Sequence, residues 1–408
     1  MGRRAVLGRL LAANPHSVGR SLRGSGGFSL GADGPTSRQR RSPWLEGCRI
    51  LRRGRVLVGR HGMARLGWAD AARGLAIVTV VFFHVVLGLQ DQEPVHWTSW
   101  ALINIFGPFP IALFFVAAGR FSRTLVGSGW STGVTRRIMG LAYVFGLWSL
   151  LCAASDAGLG DPTSIDVMAY LADPRSSLWF LWALIIYTAL TAATPVRMRA
   201  VVTAISALAA LCSFVGVISF DSFVYDNLLR FLPFFLMGII GGDADARLER
   251  GRWPVLIAGG LLFAAATAAA YWGDLGEVGK GGLLFGLAAV AVPVGIAGAS
   301  IVADVPAVGR VIMSFGRMSL GVYLVHPLVI SLAMHQVAGA ASGAWFVAPF
   351  APFVVTLGVL AVSAGFVIVS QRLRWTWLYQ PPGSARTTSP PEGDPAPTPR
   401  HRPRPLRS

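Results

Sequence analysis

Ten stretches of the chain are long and apolar enough to read as membrane spans. They cover residues 71–89, 98–118, 138–155, 178–196, 200–219, 227–242, 253–272, 282–302, 311–334 and 345–369. A helix rises 1.5 Å per residue, so about 20 apolar residues cross the hydrocarbon core. Turn residues separate the stretches, and no long polar domain interrupts them. The sixth stretch is short and is expected to start earlier or tilt little. The pattern predicts an all-α, polytopic integral membrane protein with about ten transmembrane helices.

Polar residues in the gaps alternate in sign. Gaps one, three, five and seven carry Asp91 and Glu93, then Asp156, Asp161, Asp166 and Asp173 against Arg175, then Asp221 and Asp226, then Asp274 and Glu277 against Lys280. The gaps between these carry Arg120, Arg123, Arg136 and Arg137, then Arg197 and Arg199, then Arg247, Arg250 and Arg252. Basic loops stay on the cytoplasmic side. The alternation therefore predicts an even number of spans with both termini cytoplasmic.

Composition agrees: 53% of the 408 residues are hydrophobic and 13% are charged, a balance unlike that of one soluble domain. The net charge of +17 sits at the ends. Residues 1–65 hold fourteen arginines against Asp33 and Glu46, and residues 371–408 hold seven against Glu392 and Asp394. The body between them is neutral. Three parts follow: a basic extension over 1–65 expected to be disordered, a membrane domain over 66–370, and a Pro/Arg-rich tail over 371–408 also expected to be disordered. Such tails suit an anionic leaflet. They lack the aromatic interleaving of a nucleic-acid binder, so no nucleic acid is expected as a partner.

The extension does not read as a signal peptide, because its apolar patch from Ala5 to Ala13 is short and broken by Arg9. An Arg-rich organelle presequence and a translation start at Met63 are the other readings. Lys280 is the only lysine amid abundant Ala, Gly and Arg, which points to a GC-rich, bacterial genome. Cys48, Cys152 and Cys212 form no spaced pair, so neither a disulfide framework nor a metal site is expected.

Several polar residues lie inside the apolar body. The first span reads "ADAARGLAIVTVVFFHVVLGL", with Arg73 at its basic mouth and His84 eleven positions further in. Eleven residues are about three turns, so the two side chains share a face roughly 16 Å apart. A cation at the mouth and a titratable base deeper in suit a long anionic ligand entering from the cytoplasm. Alternatively Arg73 snorkels to lipid phosphate and His84 hydrogen-bonds within the bundle.

The ninth span contains "FGRMSLGVYLVHPLV", in which Ser319, Tyr323 and His326 fall on one helical stripe. Pro327 frees a carbonyl one turn earlier. A purely structural hydrogen-bond cluster is the other reading. Arg120, Arg123, Arg136 and Arg137 surround one short inner loop, either as phosphate ligands or through the inside-positive bias alone. Arg230 lies near the outer end of the sixth span, as a snorkelling residue or a contact for an external substrate. The chain has no P-loop and no HExxH.

These residues carry a resemblance. "DAARGLAIVTVVFFH" resembles the first-helix signature of the acyltransferase 3 family, membrane O-acyltransferases that modify envelope glycans. "FFVAAGRFS", "LWFLWALIIY", "RFLPFFLMG" and "FGRMSLGVYLVHPL" follow in the family's order over about residues 68–370. Ala118 departs from the pattern, standing where the family usually has Ser.

The resemblance implies acyl transfer, commonly acetyl, from cytoplasmic acyl-coenzyme A to a hydroxyl of a carbohydrate or lipid-linked glycan. No permanently bound cofactor or metal is implied. It places the catalytic histidine at His84 with Arg73 as its partner. It matches Arg120 and Arg123 to a basic pair after the second conserved segment. As a working mechanism, Arg73, Arg120, Arg123, Arg136 and Arg137 hold the donor's phosphates, and Tyr323 or His326 orients the acceptor or stabilises the oxyanion. With the GC-rich composition, the expected location is the bacterial inner membrane. A transporter or flippase with buried Arg and His along its path is the alternative.

Overall fold

The computed structural model describes residues 60–91, 96–127, 129–158, 178–242, 244–340 and 349–382. The expected extension over 1–65 falls almost wholly outside them, as does most of the tail beyond 382. All regular structure among the described residues is helical. Twelve α-helices follow one another: α1 Arg60–Gln90, α2 Trp97–Phe106, α3 Pro108–Val126, α4 Thr132–Gly158, α5 Trp179–Ala193, α6 Arg199–Phe214, α7 Phe223–Ile240, α8 Ala244–Arg250, α9 Arg252–Trp272, α10 Glu277–Asp304, α11 Pro306–Ala340 and α12 Ala351–Arg372.

Nine of these are long and apolar enough to cross a membrane. They are α1, α3, α4, α6, α7, α9, α10, α11 and α12, with α6 extended by the 3-10 turn Val196–Met198. The tenth apolar helix, α5, has 15 residues and is too short to span alone without thinning or burial in the bundle. The protein is thus an all-α polytopic membrane protein.

The second expected span, 98–118, is broken. Gly107 separates α2 from α3, and Pro108 begins α3, where a residue without an N–H costs no hydrogen bond. The long helix therefore starts ten residues later than the hydrophobic run and continues to Val126. This places Arg120 and Arg123 within its last two turns instead of in a loop.

Helix α1 is the hub. Ala71, Ala72, Ala76, Ile77, Val81, Val85 and Val86 are buried on it, and it packs against α11, α10, α3 and α12. Lipid offers no hydrophobic force between helices, so close contact needs small residues at the crossings. The sequence supplies them. A Cβ on Gly74 would overlap the Ile312 carbonyl of α11, and one on Gly316 would overlap the Asp70 carbonyl of α1. Gly119 of α3 and Gly238 of α7 press on one another's backbones in the same way. The glycines of "RGL", "GRM", "AGR" and "LMG" are therefore packing positions.

Aromatic rings fill the next layer. Phe115 of α3 meets Trp179, Phe180, Tyr187 and Phe231 with ring centroids 4.5–5.9 Å apart. Phe180 also reaches Tyr323 of α11 at 5.7 Å, so the aromatic core leads directly to the polar stripe of α11.

Residues 371–382, the start of the expected tail, are folded. Beyond α12 the chain turns through Arg374 at φ 58° and makes a 3-10 turn, Thr376–Leu378. Leu378 is buried, and its carbonyl accepts the indole N–H of Trp148 at 2.8 Å. Tyr379 and Ser370 share a hydroxyl–hydroxyl bond of 2.7 Å. Such a tie needs partners from distant α4, which local charge and proline content could not reveal.

Candidate functional site

The contacts between α1 and α11 advance together along both helices. Gly74 meets Ile312, His84 meets His326, and Gly88 meets Ile330 and Met334. The two helices are parallel, as the first and ninth spans of an alternating bundle should be. The parallel seam carries polar groups at two levels.

At the lower level, the Arg73 guanidinium donates to the carboxylate of Asp70, one turn earlier on α1. Arg317 of α11 lies 3.9 Å from the other oxygen of that carboxylate. Arg73 also stands over the Phe121 ring, 4.5 Å from its centroid, where the ring's negative face attracts a cation. Its Nε is buried and has no hydrogen-bond partner. One carboxylate among two guanidinium groups leaves this cluster with a net positive charge. Arg73 therefore points into the α1–α3–α11 contact and not into lipid.

At the upper level, His84 and His326 lie edge to face, with ring centroids 5.2 Å apart and planes at 80°. His84 is half-buried, and its Nδ1 is 2.8 Å from the Val80 carbonyl. His326 is fully buried, with Nδ1 3.2 Å from the Val322 carbonyl and Nε2 unpartnered. Tyr323 stands 6.0 Å from His326, centroid to centroid. Of the sequence candidates, the structure brings together His84, His326 and Tyr323 at one level and leaves Arg73 below them on the same helix.

Arg120, Arg123, Arg136, Arg137 and Arg252 gather at the Arg73 end of the bundle. Arg120 donates to Asp245 at 3.1 Å, and Asp245 is itself buried at the start of α8. Arg123 is half-buried on the last turn of α3, and Arg136 and Arg137 are exposed on the first turns of α4. Arg252 pairs with Asp304. A cavity of about 460 Å³ lies beside Trp68, Arg250, Arg252 and Asp304. Another of about 520 Å³ runs along the outer face of α11 past Arg310 and Phe315. Neither is lined by Arg73 or His84.

Two arginines act as caps. Arg199 is only 5% exposed and donates to the carbonyls of Val126, Thr191 and Thr194, closing the ends of α3 and α5. Arg230 donates to Ser213, through both its hydroxyl and its carbonyl, and lies over Phe214 at the end of α6. Its guanidinium is held against the bundle by these bonds. A cation is favourable at the negative end of a helix dipole, which accounts for both placements.

Asp245 and Arg317 were not singled out from sequence. Asp245 had no distinguishing signal, because its loop also carries Asp243 and Glu249 among three arginines. Arg317 had none beyond its position next to Gly316.

Among the described residues, no group of three or more His, Cys, Asp or Glu side chains gathers as a metal site. The fold and the buried Arg–His seam define a membrane protein with ionisable groups held inside its helix bundle. A family model described as an acyltransferase domain matches residues 66–370, about three quarters of the chain, and the protein belongs to that family, acyltransferase 3. No curated protein and no solved structure gives a significant match. Family membership makes the protein an acyltransferase-type membrane enzyme. The family indicates an acyl-coenzyme A type of donor.

Proposed function

We propose that the protein transfers an acetyl group from acetyl-coenzyme A to a hydroxyl of a cell-envelope carbohydrate or lipid-linked glycan in the bacterial inner membrane. In this reading the arginine-rich end of the bundle faces the cytoplasm, both termini lie there, and residues 66–370 form the catalytic domain between basic flanking segments. The observation that carries it is the α1 helix itself: His84 faces His326 within the bundle, and Arg73 lies about 16 Å below on the same face.

His84 acts as general base. A carbonyl has no proton to give, so Nδ1–H of His84 donates to Val80 and leaves the Nε2 lone pair for the acceptor hydroxyl. The hydroxyl oxygen attacks the thioester carbonyl as Nε2 takes its proton. The tetrahedral oxyanion collapses and expels the thiolate, which takes that proton from His84. Oxygen–acyl bond formation and sulfur–acyl bond cleavage balance with no further reactant.

Arg73 holds the donor's phosphates at the mouth, supported by Arg123, Arg136 and Arg137. Arg120 contributes there from its pair with Asp245. Tyr323 and His326 line the acceptor side. A guanidinium fork suits phosphate oxygens better than a point charge does.

The test uses the purified protein in lipid nanodiscs with acetyl-labelled coenzyme A and fractionated envelope glycans. The expected result is label in an alkali-labile ester of one glycan fraction. His84→Ala should lower the rate by about 10²–10⁴ without loss of the folded protein. Full activity in that variant would remove the base assignment.

A further inference from the structure

The two imidazoles are anchored alike. Each places Nδ1 against the carbonyl of the residue four positions earlier: Val80 for His84 and Val322 for His326. A carbonyl oxygen only accepts, so both Nδ1 atoms carry a hydrogen, and in the neutral rings both Nε2 atoms are lone pairs. Pro327 sharpens this on α11. It has no N–H for the Tyr323 carbonyl, so that carbonyl is left without its usual helical donor one turn before the ring.

His326 Nε2 is then a buried acceptor with nothing to accept from. Buried polar atoms are nearly always satisfied, so an orphan inside the seam marks a place where something arrives. Its neighbour is His84, whose own Nε2 is also a lone pair. Two lone pairs cannot bond to one another, and the two rings lie with centroids 5.2 Å apart. One added proton satisfies both, directly or through a single bridging water.

We propose that His84 and His326 form a one-proton pair, in which the proton taken up by His84 is held jointly by the Nε2 atoms of both rings. His326 is thus a positioning residue that stabilises the protonated base during transfer and then returns the proton through His84 to the leaving thiolate. The proposal rests on the general-base reading of His84. Other ionisable side chains of the surrounding cluster are Tyr143 and Cys152 from α4, Tyr323 from α11, and Tyr379 beyond α12.

The test is a pH titration by nitrogen NMR of the full-length protein labelled in its histidines, in nanodiscs without substrate. His84→Gln and His326→Gln assign the two rings. Both Nε2 signals should begin as unprotonated nitrogens and shift together on uptake of a single proton. His326→Gln keeps an acceptor oxygen near the Nε2 position, so His84 should retain its proton affinity within a few-fold. His326→Leu removes the acceptor, and the affinity should fall about tenfold or more.

A proton on either Nε2 at neutral pH overturns the proposal, as does a His84 titration that is identical in all three proteins. Should His326→Leu not fold, the wild-type signals and His326→Gln still decide it. No substrate is present, so an intact pair in a protein that transfers no acetyl group would count against the proposed function alone.

Discussion

Gly316 of α11 lies directly on the backbone of Asp70 in α1, so closely that a methyl group at that position would overlap the Asp70 carbonyl. Asp70 is also the carboxylate that holds Arg73 and faces Arg317. Helix contact and charge cluster are therefore one feature. Gly316→Ala should separate the helices at this level and cost about 1–3 kcal/mol of stability. Thermal unfolding in detergent, beside Gly358→Ala as a control with open space around it, would measure this.

Arg73 makes two kinds of contact that a lysine replaces only in part. Lysine keeps the charge but loses the planar fork that bonds Asp70 and lies over Phe121. Under the proposed function, Arg73→Lys should raise KM for acetyl-coenzyme A about tenfold and leave kcat within a few-fold. That is the pattern of a group binding ground and transition states alike. Steady-state kinetics at two salt concentrations would check it, because a phosphate contact weakens with salt.

Arg199 is buried and bonded to three carbonyls at the ends of two helices, whereas Arg197 two residues earlier is exposed. Arg199→Met should destabilise the protein by about 2 kcal/mol or more, since carbonyls hydrogen-bonded to a charged group are left unpaired. Activity per folded molecule should remain near that of the parent. Arg197→Met should change neither, and chemical unfolding of the two variants side by side would show the contrast.

The chain beyond α12 gives a pH prediction. Burial pushes the Tyr379 phenol above its ordinary value of 10.0, partly opposed by the hydrogen bond with Ser370. The unfolded phenol ionises near pH 10, while the folded one resists ionisation until higher pH. Stability from this residue is therefore fully present below about pH 10 and is lost as pH rises through the raised folded value. Tyr379→Phe should remove that alkaline loss. Trp148→Phe, which removes the indole N–H bonded to Leu378 together with part of the buried ring, should increase hydrogen exchange over residues 373–380 at neutral pH.

Much of this architecture was legible along the chain. Runs of about twenty apolar residues have few stable fates other than crossing a bilayer, so helix type followed from pattern alone, while the ten expected spans became, among the described residues, nine long helices and one short one. The eleven-residue spacing of Arg73 and His84 on one face is a property of any α-helix. The exceptions are instructive. The run 98–118 is uniformly apolar, and only the Gly107–Pro108 step marks the break that moves Arg120 and Arg123 into a helix. The stretch from 371 onwards reads as a polar tail, yet Trp148 and Ser370 hold Leu378 and Tyr379 in place.

The amino-acid sequence by itself determined the helices, the segregation of arginines to one end and the placing of two histidines on separate spans. Each of these depends on local periodicity or charge, which a linear pattern records. Only the tertiary structure decided that His84 faces His326, that Asp70 joins Arg73 to Arg317, and that Arg199 caps two helices. Those pairings join residues far apart in the chain. They depend on how closely glycines let particular helices approach, and that distance is fixed only when the helices pack.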